Sequence, residues 1–328
     1  MTAPDRPRDA KDTLLTVGLF ALLVGTSFGF FYGDYFAPGV AGFTAFLLIP
    51  GAIGGLCSQL VDPQGKSQPI GCFVTPTLAI LGIAAIAWLV LHEGAICILM
   101  ILPIWLPAAI FGAAVRYWNG RRRRNFENAA SRFFSVGWLG LPALLAAVEV
   151  QNLPQWQSEN VTREIEISAS AEKVWPLLAS IPGIKPSEGR WNFTQDVLGV
   201  PRPSEARLVQ RNGELVRLAS WGNAIHFEER ITRIESGRTI AWQFAFPDNS
   251  VQQYTDRHIS PDGPVLRIGS GQYELQRLSA HSTKIRLTMQ YQMRSRFGGY
   301  LAQWGELLFG DVETNVLEIV KHRVEATQ

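Results

Sequence analysis

Charge is missing from long stretches of the first half of this chain, and no motif constrains the fold as strongly. From Thr13 to Gly33 there is no charged residue. An α-helix rising ~1.5 Å per residue needs about 20 such residues to cross ~30 Å of hydrocarbon. Comparable charge-free runs extend from Ala37 to Leu60, Ile70 to Leu91 and Ala95 to Val115, so four spans are expected at 13–33, 37–60, 70–91 and 95–115. The first is too long for the apolar core of a signal peptide and has no small-residue cleavage site after it. A fifth run, Phe133 to Val148, is shorter and contains Pro142. It reads as a span (133–149), a re-entrant segment or a helix lying in the interface.

The loops between these runs carry a topological signal, because Lys and Arg in short loops are retained on the cytoplasmic side. Basic residues stand before the first run (Arg6, Arg8, Lys11), after the second (Lys66) and after the fourth (Arg116, Arg121 to Arg124, Arg132). The connections at Asp34 and at His92-Glu93 have none. This alternation predicts a multi-pass protein of the cell membrane, of the bacterial inner-membrane type, with a cytoplasmic amino terminus. If the fifth run crosses, the remainder lies on the outer, periplasmic face. The arginine run could also serve as an anionic-lipid or nucleic-acid patch, but its position suits a topology determinant. Gly25, Gly29 and Gly33 repeat every fourth residue, as do Gly51 and Gly55, which suits close helix packing within one bundle or a homodimer. No Asp, Glu, Lys or Arg stands mid-span, so an ion or proton path is disfavoured and the spans read as an anchor.

Beyond residue 150 the composition changes. About 20 of the 30 Lys and Arg lie there, balanced by roughly as many acids. A near-neutral half with no basic cluster argues against a nucleic-acid partner. Cys57, Cys72 and Cys97 all precede it and read as small hydrophobes, leaving no disulfide framework or zinc cluster in the second half. The domain plan is thus a transmembrane unit (1–150), a polar linker (151–159) and a soluble unit (160–328).

Alternation of apolar and polar residues predicts strands in the soluble unit at 161–167, 206–210, 215–221, 225–234, 239–246, 264–275 and 284–294. Asn212-Gly213, Ser236-Gly237 and Pro261-Asp262-Gly263 mark the turns. Ser170 is placed to cap a short helix through Val174 and Leu178. In the last strand Ile285, Leu287, Met289, Tyr291 and Met293 point one way and polar residues the other, so one face is dry. The tail from Tyr300 to Arg323 repeats apolar residues at helical spacing and is the long helix available to cover it.

A curved antiparallel sheet around one long carboxy-terminal helix is the helix-grip form of an α+β fold, and short motifs agree. Glu164-Ile165-Glu166-Ile167 followed by Ala171-Glu172-Lys173-Val174-Trp175-Pro176 resembles the opening of the polyketide cyclase/dehydrase and START-like (SRPBCC) superfamily. Phe227 to Thr232 followed by Gly237 to Trp242 resembles its central hairpin. The resemblance covers about residues 160 to 324. It implies a cavity between sheet and helix, in a family that includes lipid carriers, hormone receptors, cyclases and proteins of no known activity.

Trp242, Phe244, Tyr273, Met289, Tyr291 and Trp304 are expected to line such a cavity or fill the core, with Leu308, Asp311 and Asn315 on the tail-helix stripe of Trp304. Asp311 then needs a partner: an arginine, Tyr273 or a ligand. Glu229 shares a strand face with Phe227 and Ile231 and points inward. There it serves as a general acid or base if burial raises its pKa, or forms an internal salt bridge with Arg217 or Arg267. His258 with Asp256 is a lone pair of potential ligands, short of the three or four a metal needs. Gly269-Ser270-Gly271 reads as a bulge. No cofactor motif is present. Three functions follow: a membrane-anchored binding protein for a hydrophobic small molecule or lipid, with no catalysis; a cyclase/dehydrase-like enzyme on a hydrophobic aromatic substrate, using Glu229, Asp311 or His258; and a scaffold with a collapsed cavity.

Overall fold

The computed structural model describes residues 10–32, 42–62, 69–90, 92, 94–122, 144–145, 148–149, 152, 154–255 and 260–327. It divides into two compact units, Met1–Pro154 and Gln155–Gln328. In the first, α1 is Ala10–Tyr32, a π-helical turn Thr44–Leu48 runs into α2 (Ile49–Val61), α3 is Pro69–Leu89 and α4 is Ala95–Arg122. Three helical stretches, Thr44–Val61, Ile70–Leu89 and Ala95–Asn119, are long and apolar enough to cross a membrane, and α1 adds a shorter apolar stretch, Thr13–Gly25. Among the described residues the second helical stretch starts at Thr44, residues 37–41 lying outside them, and the fourth continues past 115 to Arg122. Most of the fifth run lies outside the described residues, as do His258 and Asp256.

Glycine sets how the helices of this unit meet. A Cβ on Gly54 would collide with the Ala109 carbonyl, and one on Gly112 with the Gly51 carbonyl, so the α2 and α4 backbones touch there. The stripe expected at Gly51 and Gly55 therefore packs inside the bundle, through Gly51 and Gly54. Gly25 faces open space; the surroundings of Gly29 and Gly33 are outside the described residues. Several buried polar groups are satisfied nearby, though Thr44 Oγ1 has no hydrogen-bond partner: Gln59 Nε2 donates to Thr16 Oγ1 at 3.3 Å, and the Glu149 carboxylate accepts from the Phe43 and Thr44 amides at 2.7 and 3.2 Å. The latter is a cap from a distant residue, placing a negative charge where a helix start leaves unpaired N–H groups. At the other end of α2, Val61 adjoins Gly71 at the start of α3, and Phe73 of α3 meets Tyr117 of α4 with ring centroids 6.1 Å apart.

The second unit contains β1 (Gln157–Ile167), α5 (Ala171–Ala179), α6 (Phe193–Asp196), β2 (Pro203–Arg211), β3 (Glu214–Trp221), β4 (Ile225–Glu235), β5 (Thr239–Ala245), α7 (Ser250–Thr255), β6 (Leu266–Ser279), β7 (Ser282–Met293) and α8 (Gly298–Glu325). The strands form one seven-stranded sheet in the order β1-β7-β6-β5-β4-β3-β2, every neighbouring pair antiparallel. β1 begins at Gln157, inside the stretch expected to be linker. Ser170 stands at the start of α5 but its side chain makes no capping hydrogen bond. The Asn212-Gly213 turn has both residues at positive φ, 51° and 85°, which suits the twist of a two-residue hairpin. The sheet bulges between Ile268 and Ser270, where Gly269 was expected to bend it.

One face of the sheet is dry. On β7, Ile285, Leu287, Tyr291 and Met293 are buried, and α8 packs chiefly along β1, with a lesser contact to β7. Leu317, Val320 and Val324 of α8 join Ile167, Ile240 and Ile285 in the main core. Each such side chain taken fully from water stabilises the fold by about 1.5–3 kcal/mol.

Candidate functional site

The inner face of the sheet is not uniformly apolar. Arg217 on β3 and Glu229 on β4 are directly opposed across the strands and form an ion pair at 2.5 Å, both side chains being more than nine-tenths buried. Burial pushes the Glu229 carboxyl above its ordinary range, against the pull of Arg217. Arg267, the alternative partner, instead stacks on Trp156 at 4.3 Å. Glu229 is therefore half of a charge-neutral pair. The Arg217 guanidinium lies 5.7 Å from the Tyr273 ring and 6.0 Å from that of Trp242, close enough for cation–π attraction.

From this pair an aromatic lane runs along the inner face. Tyr273 and Trp242 have centroids 5.1 Å apart, Trp242 and Phe244 5.9 Å, Phe244 and Phe227 5.8 Å, and Phe227 and Trp221 5.6 Å. Trp242 and Tyr273 are buried at one end, whereas Phe244 and Trp221 are only partly so. Gly271 makes room for the lane: a Cβ there would strike the Trp242 indole. The lane lies on β3 to β6, beyond the main contact of α8 with β1.

Several polar atoms around this face are buried without a hydrogen-bond partner: Trp242 Nε1, Arg217 Nε, Tyr291 Oη and both carboxylate oxygens of Glu313. Native interiors leave few such groups, and each costs about 1–3 kcal/mol. Glu313 was not anticipated from the sequence. It is 4% exposed on the sheet-facing side of α8, and burial pushes its carboxyl up to about 8, against Arg163, which pulls it down; Glu306 adds to the rise and the Met289 amide opposes it. Burial thus favours its protonated form. Its charge is felt by Tyr273. Tyr291 Oη lies against Gly305 of α8, and burial pushes that phenol up to about 12.

The other anticipated residues are placed differently. Asp311 Oδ2 accepts from the Thr194 amide and hydroxyl, each at 3.0 Å. Asn315, with no exposed surface, accepts from the Arg190 amide at 2.9 Å and donates to Gln195 Oε1 at 2.7 Å. A Cβ on Gly189 would collide with its Oδ1. Both side chains fasten the segment between α5 and β2 onto α8. Leu308 lies under the same segment, its carbonyl accepting from Thr194 Oγ1, and Trp304 meets Tyr300 edge-on at 6.4 Å. Met289 packs with Tyr291 and Val161. Among the described residues no three His, Cys, Asp or Glu side chains come together to hold a metal ion.

No protein-family model and no curated protein matches the chain. Solved structures similar to it include an aromatase/cyclase from Streptomyces sp. R1128 (18% identity, 52% of this chain, 94% of that one, TM-score 0.32). A truncated norcoclaurine synthase from Thalictrum flavum (12%, 52% and 96%, 0.33) and a protein from Thermus thermophilus (15%, 52% and 99%, 0.29) are similar to the same degree. Likeness at this level speaks to neither activity nor ligand.

Proposed function

We propose that the chain is a membrane-anchored binding protein whose soluble unit holds a hydrophobic small molecule or lipid on the inner face of its sheet. The observation that carries this is the pairing of an aromatic lane with buried polar atoms that lack partners, Trp242 Nε1 and the Glu313 carboxyl above all. Apolar walls with a few convergent polar groups are the usual make-up of a small-molecule site. The helices of the first unit supply the anchor. Extracting the protein from its own membranes in mild detergent and identifying co-purified compounds by mass spectrometry tests this; a protein that comes out empty after gentle extraction counts against it.

The position of Glu313 also favours a second reading, an enzyme on a hydrophobic aromatic substrate. A carboxyl that keeps its proton near neutral pH can act as a general acid. In that case E313Q retains the compound but leaves it unconverted, whereas for a carrier both proteins hold the same compound unaltered.

Placement of the soluble unit on the outer face of the membrane is part of the proposal. α3 begins beside both Val61 and Tyr117, so α2 and α4 end at the same end of the bundle, the end that carries Arg121 and Arg122. Glu149 binds the start of α2, at the opposite end. Opposite ends for Arg122 and Glu149 support a change of side between them, and the basic residues of the loops favour the cytoplasm for the Arg122 side. A reporter fused after Gln328 decides the matter; a cytoplasmic signal overturns the placement.

A further inference from the structure

We propose that the site takes one uncharged oxygen acceptor, a ketone, ester or hydroxyl oxygen, between the Trp242 indole N–H and the Arg217 Nε–H, with the Glu313 carboxyl approaching from the helix side. This rests on the binding function proposed above and specifies its chemistry. Trp242, Arg217 and Glu313 are 3%, 5% and 4% exposed, and the named atoms have no partner.

Three features place these groups around one region. The Trp242 indole lies over Gly271, where any side chain would displace it. Gly271 is paired on one side with Trp242 and on the other with Met289, and the Met289 amide is a backbone donor close enough to act on the Glu313 carboxyl. Arg217 reaches the same region from β3, over the faces of Trp242 and Tyr273.

The donor inventory then selects the ligand. An indole N–H and a guanidinium Nε–H can only donate, so their missing partner is an acceptor. A protonated carboxyl can both donate and accept, and so suits a hydroxyl or a carbonyl. Arg217 and Glu229 already neutralise one another at 2.5 Å. A carboxylate or ammonium on the ligand would enter this interior without a counter-charge, which is strongly unfavourable. The aromatic lane beginning at Trp242 is the natural seat for the apolar body of the same molecule.

A matched set of probes tests this on the full chain in lipid nanodiscs, with empty nanodiscs as the partition control: naphthalene, 2-acetylnaphthalene, 2-naphthol, 2-naphthoate and 2-(aminomethyl)naphthalene, followed by saturation-transfer NMR. The ketone and the naphthol are expected to bind about tenfold more tightly than naphthalene, the gain of one or two hydrogen bonds to waiting donors. The two ionised probes should bind more weakly than the ketone by at least as much. W242F, which keeps an aromatic ring, should lower the ketone to the level of naphthalene and leave naphthalene unchanged. Equal binding of all five probes, or tightest binding of the naphthoate, overturns the acceptor site while leaving a hydrophobic binding protein standing; no binding of any probe removes both. The comparison within the unsubstituted protein decides the matter even if W242F does not fold.

Discussion

The two halves of this molecule use the same residue types for different ends. In the helical unit, Gly51, Gly54 and Gly112 let two backbones touch, and buried polar groups such as Gln59 and Thr16 find each other nearby. In the sheet unit, Gly305, Gly310 and Gly271 admit side chains instead, the Tyr291 hydroxyl, the Arg163 guanidinium and the Trp242 indole, and several buried polar atoms are left without partners. A bundle whose backbones close on one another and which leaves a single hydroxyl, Thr44 Oγ1, unpartnered among its described residues suits an anchor. A unit that makes room for large polar side chains and does not satisfy them suits a site.

The largest effect expected from breaking this contrast is at the Arg217–Glu229 pair. E229A strands a buried guanidinium and should cost about 3–5 kcal/mol in denaturant unfolding, whereas the double replacement R217M/E229L, which removes both charges, should cost far less. Equal losses would mean the pair is solvated. Next comes Glu313, whose folded-state pKa of about 8 lies above the ordinary 4.5. The folded state holds this proton more tightly than the unfolded chain, so the contribution to stability is full below about pH 4.5, is lost as pH rises to about 8 and is level above that. E313Q should remove that slope, gaining a few kcal/mol relative to the parent between pH 5 and pH 8, with Glu306, Arg163 and Tyr273 the neighbours that titrate or carry charge around it. A thermal-unfolding series across pH reads this directly; parallel profiles for the two proteins would refute it.

In the helical unit, G54A sets a methyl group against the Ala109 carbonyl and forces α2 from α4. It should cost about 1–3 kcal/mol in a detergent-unfolding titration. The smallest effect expected is for E149A, which uncaps the start of α2 at about 0.5–2 kcal/mol and should leave ligand retention unchanged. If E149A instead empties the soluble unit, the division into anchor and site is wrong.

Much of the sheet was legible in the sequence because one of its faces is buried. Period-two alternation in β7 and the turns at Asn212-Gly213 and Ser236-Gly237 specify strands and hairpins with little freedom. The inward direction of Glu229 followed from the same alternation. The long helix was harder to read, because two of its faces are covered. On the stripe expected from Trp304, Leu308, Asp311 and Asn315, the two polar side chains face the segment between α5 and β2. The sheet-facing side runs through Gly305, Phe309, Glu313 and Leu317, and its signal was a lone Glu four residues from Phe309 and from Leu317, with Gly at 305 and 310. Helical periodicity shows that a face is buried, not what covers it. The placement of Arg217 over Trp242 and Tyr273 depends on cross-strand register, which no local pattern encodes.

The central claim is that the sheet unit holds a hydrophobic compound by the groups its fold leaves unpaired, and native mass spectrometry of the full chain released from its own membranes tests it most directly. The expected result is an adduct of one uncharged small molecule on the parent protein and on E149A, much reduced on W242F. An adduct-free parent, or an adduct lost with E149A and kept by W242F, would contradict it.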